Sequence, residues 1–407
     1  MLRDQLCPVR RITPEDGRQY FYGYYDNPAF TADGSRHLCH RVDFLDRLPA
    51  ADDVCALGLL ETGHGRENSS PEEQPVFKQF AETTLWNFQQ GSMLQFLSGN
   101  DDIVAYNTRD INGGYRCAIH NLTTGHIRFT DRAAANISKD GRWALSINFD
   151  RLFDFRPGYG YSGKRDPFYD EERPEKDGIY LTDMESGTSK LILSYDKIAG
   201  IFEEVSPLVK NSKLLVNHIT FNPSAERFVF LVRSFPKPDK KGWLTGVATA
   251  DREGKNVRIL MEFSMASHYH WRDDNHLLIW GRCAASGNIP GMLLIEDAAP
   301  EAGKLKIISP ELFVRDIHCI YSPDLKFIAG DGYPDSEQFR PLYVYNVEKK
   351  SLTTLLRAWS MSFSLTDNRC DLHNRWSPDG TQLSFDSTHE GFRGVYIANL
   401  DAILRRT

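Results

Sequence analysis

The chain has no CxxC pair, no GxSxG serine elbow, no excess of positive charge, and no apolar run near the roughly 20 residues that cross a bilayer. Each absence removes a class of function. The seven cysteines, at positions 7, 39, 55, 117, 283, 319 and 370, are odd in number and scattered. A disulfide framework is therefore not expected, and reduced, mostly buried thiols are. With 48 Lys and Arg against 55 Asp and Glu, the formal charge of −7 supplies no basic field for nucleic-acid phosphates. The opening Met1-Leu2-Arg3-Asp4-Gln5-Leu6-Cys7-Pro8 puts charges where a secretory segment needs an apolar run. The expectation is a cytoplasmic protein with no membrane and no nucleic-acid partner. In that setting the sequons at Asn121 and Asn136 carry no meaning.

What the chain does have is a repeat. His218, His268, His318 and His373 stand 50, 50 and 55 residues apart, and an aromatic follows each by three positions: Phe221, Trp271, Tyr321 and Trp376. A turn then follows, as in Asn222-Pro223-Ser224, Arg272-Asp273-Asp274, Ser322-Pro323-Asp324 and Ser377-Pro378-Asp379-Gly380. Three copies without histidine precede them, at Asn27–Gly34, Met93–Asn100 and Ala134–Gly141, which makes seven. β-rich runs follow each turn, for example Phe228–Val232, His276–Trp280, Leu342–Asn346 and Val395–Asn399, alternating in the period-two manner of short antiparallel strands. Four strands in each of seven repeats predict an all-β protein, a seven-bladed β-propeller forming one domain over 1–407. Its blades start near 25, 91, 133, 216, 266, 316 and 371, and a strand at residues 7–13 completes the last and closes the ring. Closure removes exposed sheet edges. The missing serine elbow weighs against the propeller–hydrolase pairing of some peptidases.

Two insertions interrupt the rhythm, one polar at about 62–75 and one at 155–169 that mixes aromatics with bases. Long loops on a rigid scaffold are where binding residues gather. Gly158-Tyr-Gly160-Tyr-Ser-Gly163 spells GxGxxG but lacks the strand before and helix after that a dinucleotide site needs, so it reads as a loop.

The first strand of a propeller blade lines the central channel, so four histidines at one repeat position are expected to converge at one channel mouth. Imidazole is both a common ligand for divalent transition metals and the usual base near neutral pH. Asp371 and His373 are two apart on a strand and share a face, with Asn368 in the loop just before them. A set of Asn368, Asp371, His373 and His268 mixes oxygen and nitrogen donors. It suits a divalent ion such as Mn²⁺, with Zn²⁺ or Ca²⁺ as alternatives, better than a structural thiolate zinc site. The other role open to Asp371 is to orient an imidazole. Asp331, between Gly330 and Gly332, is expected in a turn, and His270 shares the face of His268 or contacts solvent.

The segments at His218-Ile-Thr-Phe-Asn-Pro, His268-Tyr-His-Trp-Arg-Asp-Asp, His318-Cys-Ile-Tyr-Ser-Pro-Asp and Asp371-Leu-His373-Asn-Arg-Trp-Ser-Pro-Asp-Gly together resemble the C-terminal half of oligogalacturonate lyases. Blades one to three are similar only to generic propellers of the TolB type, and ulvan lyases are a more distant resemblance. The resemblance implies a cytoplasmic seven-bladed propeller that cleaves uronic-acid oligosaccharides by β-elimination, with a manganese-type ion in the channel mouth. It implies His218 as base and His268 and His373 as metal ligands. Asp371 stands where the family has a third histidine, and Asn368 where it has a glutamine. The family's arginine near the base has no match, since Gly178 and Leu181 occupy that stretch; Arg156, Arg165, Arg282 or Arg375 are the substitutes, with Arg282 grouped among the catalytic residues.

The implied chemistry has a physical rationale. The proton alpha to a uronate carboxylate is very weakly acidic until a cation neutralises the carboxylate, after which a neutral imidazole within ~3 Å can remove it. His318 would orient the sugar or protonate the leaving oxygen. Arg156, Arg165 and Arg375, with Tyr159 and Tyr161, are expected to contact an acidic oligosaccharide, and Tyr169 lies in the same loop. The alternative is a non-catalytic propeller that binds a glycan or a protein; hydrolysis or epimerisation at the same site is a third possibility.

Overall fold

The computed structural model describes residues 1–64, 74–97, 99–210, 212–235, 243–298, 304–363 and 366–405. It is built almost wholly of short antiparallel strands, as the alternation predicts. Much of the insertion expected at 62–75 lies outside the described residues. The chain divides into two compact units: Met1–Arg109, Ala118–Arg128 and Ile317–Thr407 form one, Asp110–Cys117 and Phe129–Asp316 the other.

In the first unit, one sheet runs Gln19–Phe21, Arg36–Val42, Cys55–Glu61 and Lys78–Thr83 in chain order. A second joins Gln95–Leu97, Asn100–Arg109, Tyr115–Asn121 and Ile127–Phe129, of which residues 110–117 and 129 count with the other unit. A third runs Ile317–Tyr321, Phe327–Gly332, Phe339–Asn346 and Ser351–Trp359, with Leu2–Arg3 on its outer edge. The fourth runs Arg375–Trp376, Gln382–Ser387 and Gly394–Asn399, and its outer strand is Val9–Arg11. There Val9 lies opposite Ala398 and Arg11 opposite Tyr396, so the N-terminal segment supplies the strand that the last repeat lacks.

The second unit holds a sheet of Asn136–Ile137, Trp143–Ser146, Gly178–Asp183 and Ser189–Ser194, and a sheet of seven strands. The seven-stranded sheet turns on the 16-residue strand Arg258–Asp273. Its first part pairs with Thr245–Asp251 and its last part with His276–Arg282, so the repeat boundary expected near 266 falls inside one continuous strand.

The repeat signature has a mechanical explanation. The indole Nε1 of Trp271 donates to the carbonyl of Thr220, 3.1 Å away, and that of Trp376 to Ile320 at 3.2 Å, so each aromatic fastens its strand to the preceding repeat. In the turns, the Ser322 hydroxyl donates to Asp324 at 2.7 Å and accepts from the Phe327 N–H at 3.0 Å; Ser377 and Asp379 repeat the arrangement. Ser-Pro-Asp is thus a side-chain clip on a tight turn.

Three α-helices among the described residues depart from the all-strand reading, Phe149–Phe155, Tyr195–Glu203 and the four-residue Asp401–Leu404. Phe149–Phe155 is capped by the Asn148 side chain, and Tyr195–Glu203 by Ser194. The second carries a readable signal, a serine cap followed by buried Tyr195, Ile198, Ala199 and Phe202 at helical spacing. The strand period of the flanking residues conceals it. The 155–169 segment is no open loop either, because a fully buried Arg151–Asp166 ion pair at 3.0 Å ties it to the first helix.

The loop at 22–28 is tightly constrained. Gly23 has φ +108°, and a Cβ there would lie 2.8 Å from the carbonyl carbon of Gln90. Asp386 accepts from the N–H groups of Tyr22 and Gly23 at 3.0 and 3.1 Å, while the Gly23 carbonyl accepts from Arg375 at 3.0 Å.

Nearby, His37 and His40 are buried, and burial pushes both pKa values down to about 3. The His40 Nε2 accepts the Ser92 N–H at 3.0 Å, which requires the neutral ring. Because the unfolded chain binds these protons near pH 6.5 and the fold resists them, stability is full above about pH 6.5 and falls as pH drops from there toward 3. Urea midpoints measured across that window should decline for the wild type and less steeply for His40→Gln, which cannot protonate. Equal slopes would refute the role of His40.

Candidate metal centre and candidate base

In the first unit, ligand atoms of His318, Asp371 and His373 lie within 4.8 Å of one another, and all three residues are buried. Strand pairing sets His318 opposite Asp331, whose Oδ1 is 3.1 Å from the imidazole Nδ1. Asp331 is therefore a strand residue and not the turn residue expected. The flanking glycines that suggested a turn answer to close packing, since a Cβ on Gly330 would stand 2.8 Å from the His318 carbonyl oxygen. The other Asp331 oxygen accepts the Leu372 N–H at 3.0 Å, binding the His318 strand to the segment that carries Asp371 and His373.

Asp371 is held by two guanidiniums, Arg340 at 2.8 Å from Oδ1 and Arg369 at 2.8 Å from Oδ2. Burial opposes its charge, but Arg369 and Arg340 prevail and keep the carboxyl well below the usual range. His373 has φ +44°, and its Nδ1 donates to the Gly23 carbonyl at 2.9 Å, so Nε2 carries the lone pair, 3.9 Å from Asp371. The two imidazoles stand edge to face with centroids 4.4 Å apart. Buried Tyr25 packs on both, at 5.4 and 5.9 Å, and Tyr24 on His373 at 5.5 Å. The Asn368 amide is buried and makes no hydrogen bond among the described residues.

In the second unit, the Nδ1 of His268 is 3.0 Å from Asp316. Among the described residues, the group of close donors does not include His268 or His270. His218 has φ +59° at a β-bulge between Asn217 and Ile219, and His268 sits at another between Ala266 and Tyr269. Bulges re-aim a side chain out of the pleat, which is why these positions present imidazoles where regular strands would not. The Tyr159 ring stands perpendicular to His218 at 5.4 Å, and the Arg156 guanidinium lies 4.1 Å over the same ring and 5.1 Å from Trp243.

The remaining arginine candidates are elsewhere. Arg165 stacks on exposed Tyr169 at 4.0 Å beside Asp170, and Arg282 is exposed at a strand end opposite Met265. Arg375, in the first unit, is buried against Asp386 at 3.0 Å. Tyr161 is buried and stacked on Phe149 at 4.6 Å. Sequence reasoning did not single out Tyr24, Tyr25, Arg340 or Arg369. The run Tyr20-Phe21-Tyr22-Gly23-Tyr24-Tyr25 was a signal for the first two, and the place of Arg369 two residues before Asp371 was one for it; Arg340 had none.

Two imidazoles, one carboxylate fixed in its charged form and a buried amide with free bonding capacity suit a divalent ion that takes nitrogen and oxygen donors.

No protein-family model matches the chain, and no curated protein does. Among solved structures, an oligogalacturonate lyase in complex with manganese aligns with a TM-score of 0.66, covering 98% of this chain and 95% of its own at 18% identity. An oligogalacturonate lyase from Vibrio parahaemolyticus gives 0.65 over 98% and 95% at 16% identity. The β-propeller domain of the trilobed protease from Pyrococcus furiosus gives 0.50 over 93% and 96% at 10% identity. At these identities the likeness establishes the fold.

Purified protein dialysed against a trace mixture of manganese, zinc, iron and calcium should retain about one metal per chain, and His373→Ala and His318→Ala should retain little. Undiminished metal in both variants would place the ion elsewhere; no stoichiometric metal in the wild type would remove the metal role.

Proposed function

We propose that this protein is a lyase that cleaves uronic-acid-containing oligosaccharides by β-elimination, assisted by a divalent metal of the manganese type. The observation that carries the reading is the buried His318–Asp371–His373 group in a fold shared with oligogalacturonate lyases. The finer architecture we propose has seven blades. The seven-stranded sheet counts as two joined through Arg258–Asp273, and Val9–Arg11 completes the last and closes the array.

His318, Asp371 and His373 would hold the ion, with Asn368 as a further oxygen donor. When bound, the ion supplies positive charge to neutralise a uronate carboxylate and so acidify the adjacent C–H. Arg340 and Arg369 keep Asp371 ionised and fixed. Gly23 fixes the tautomer of His373. His218 is assigned the base, taking the alpha proton on a ring nitrogen as a double bond forms and the carbon–oxygen bond beta to the carboxylate breaks, its electron pair leaving on the sugar oxygen, which takes a proton from water. Tyr159 fixes the plane of the His218 ring, and Arg156 is the cation we assign to the substrate carboxylate there. The protein is proposed to act in the cytoplasm, on an acidic oligosaccharide.

One observation favours a second reading, a non-catalytic binding protein. Both Asp371 oxygens are already committed to arginines, as in a purely structural ion cluster.

With oligogalacturonides, the wild type should form an unsaturated product detectable by its ultraviolet absorbance. His218→Ala should lower the rate by about 10²–10⁴ while calorimetry still shows binding. Binding without unsaturated product in the wild type would favour the binding protein, and new reducing ends without unsaturation would indicate hydrolysis.

A further inference from the structure

The second unit also contains a cavity of about 410 Å³ between the 147–177 segment and the strands around it. That volume lies within the roughly 300–1,000 Å³ typical of small-molecule sites. Its walls include Tyr115, Arg132, Lys164, Lys176 and Tyr180, together with Asp131, Asp150 and Asp177. None of these residues has a part in the chemistry assigned above.

The formal charges of the three bases and three acids cancel, but their bonding capacities do not. Each acid is already satisfied within the fold. Asp131 accepts from the Ser189 N–H at 3.0 Å and from its hydroxyl, and Asp150 accepts from the Tyr115 hydroxyl at 2.6 Å. Asp177 is buried and accepts from the Asn148 amide at 2.7 Å, and burial raises its pKa. Among the described residues, Arg132, Lys164 and Lys176 form no ion pair with any carboxylate. The Arg132 guanidinium lies 3.5 Å over the Tyr180 ring, and Lys164 Nζ is 5.1 Å from the centre of Tyr115. An arginine stacked by its face keeps its in-plane N–H donors for a planar anion, and the ring beneath prevents it from folding away. Lys164 and Lys176 are exposed, at the solvent side.

We propose that this cavity is an accessory anion site that takes a carboxylate-bearing sugar residue, with Arg132 as its anchor and Lys164 and Lys176 as supporting charges. The volume exceeds what an inorganic anion fills, and the tyrosines offer apolar surface to a sugar ring. The choice of an acidic sugar rests on the function proposed above, whereas the anion site itself rests on the cavity alone. The site would hold a part of an acidic saccharide away from the reacting bond, raising affinity without touching chemistry.

The test is calorimetric titration of the intact protein with galacturonic acid, its methyl ester and inorganic phosphate, in wild type, Arg132→Gln and Lys164→Gln. Lys164 is exposed, so its variant guards against a folding defect in the Arg132 variant, and thermal melts verify both. Galacturonate affinity should fall about tenfold or more in Arg132→Gln, and to a lesser degree in Lys164→Gln. The uncharged ester should bind weakly to all three proteins, and added salt should weaken the acid's binding. Galacturonate binding that is unchanged in both variants would overturn the proposal, as would phosphate bound in place of galacturonate, or an ester bound as well as the acid. Titration needs no turnover, so an inactive protein that still shows the Arg132 effect would sink the lyase reading and leave this site standing.

Discussion

The Asp386 carboxylate is the constraint on which the first unit's site depends. It receives the N–H groups of Tyr22 and Gly23, turning the chain so that the Gly23 carbonyl faces Arg375 and His373. One carbonyl thereby fixes the tautomer of a candidate ligand, and the same turn delivers Tyr24 and Tyr25 onto the imidazoles. The arrangement is costly, because Asp386 is buried and its pKa is raised by that burial against the pull of Arg375. Buried pairs of this kind contribute less to net stability than to a unique geometry at this site, since an alternative packing would strand the charges.

A second consequence is electrostatic. Asp371 faces two guanidiniums and Asp331 stands against His318, so two carboxylates and two guanidiniums meet around the imidazoles and their formal charges cancel. A charge-balanced cluster of this kind attracts neither sign at long range and acts on a group only within contact distance.

Much of the fold was legible because the repeat writes its own mechanics into the sequence. The tryptophans three residues past His268 and His373 each fasten one strand to the preceding repeat, and Ser-Pro-Asp clips the turn, so both recur at fixed spacing. The pairing of Val9–Arg11 with the last sheet could be read from a strand deficit at one end and a surplus at the other. The helices were not read, because local alternation dominated the window in which a cap and a 3.6-residue spacing lay. For the candidate site, Asp371 and His373 were visible together through their spacing, although they stand in the irregular segment before the Arg375–Trp376 strand and not on the strand face expected, His373 having a left-handed φ. Arg340 was not, since nothing local to it announces a partner outside its strand, whereas Arg369 stands two residues from Asp371 in the same segment and was overlooked. His318 was visible as a repeat position, but its place beside Asp371 and His373 depends on three-dimensional register.

His218 and His373 both occupy left-handed backbone, a conformation in which a histidine is strained and a glycine is at ease. The chain therefore forgoes stability, on the order of 1 kcal/mol or more at each position, to keep an imidazole there. Drift under selection for folding alone would run toward glycine at both positions. Glycine at either position would relieve the backbone and remove the ring nitrogens together, so the placement of the imidazole and the ease of the backbone are opposed there.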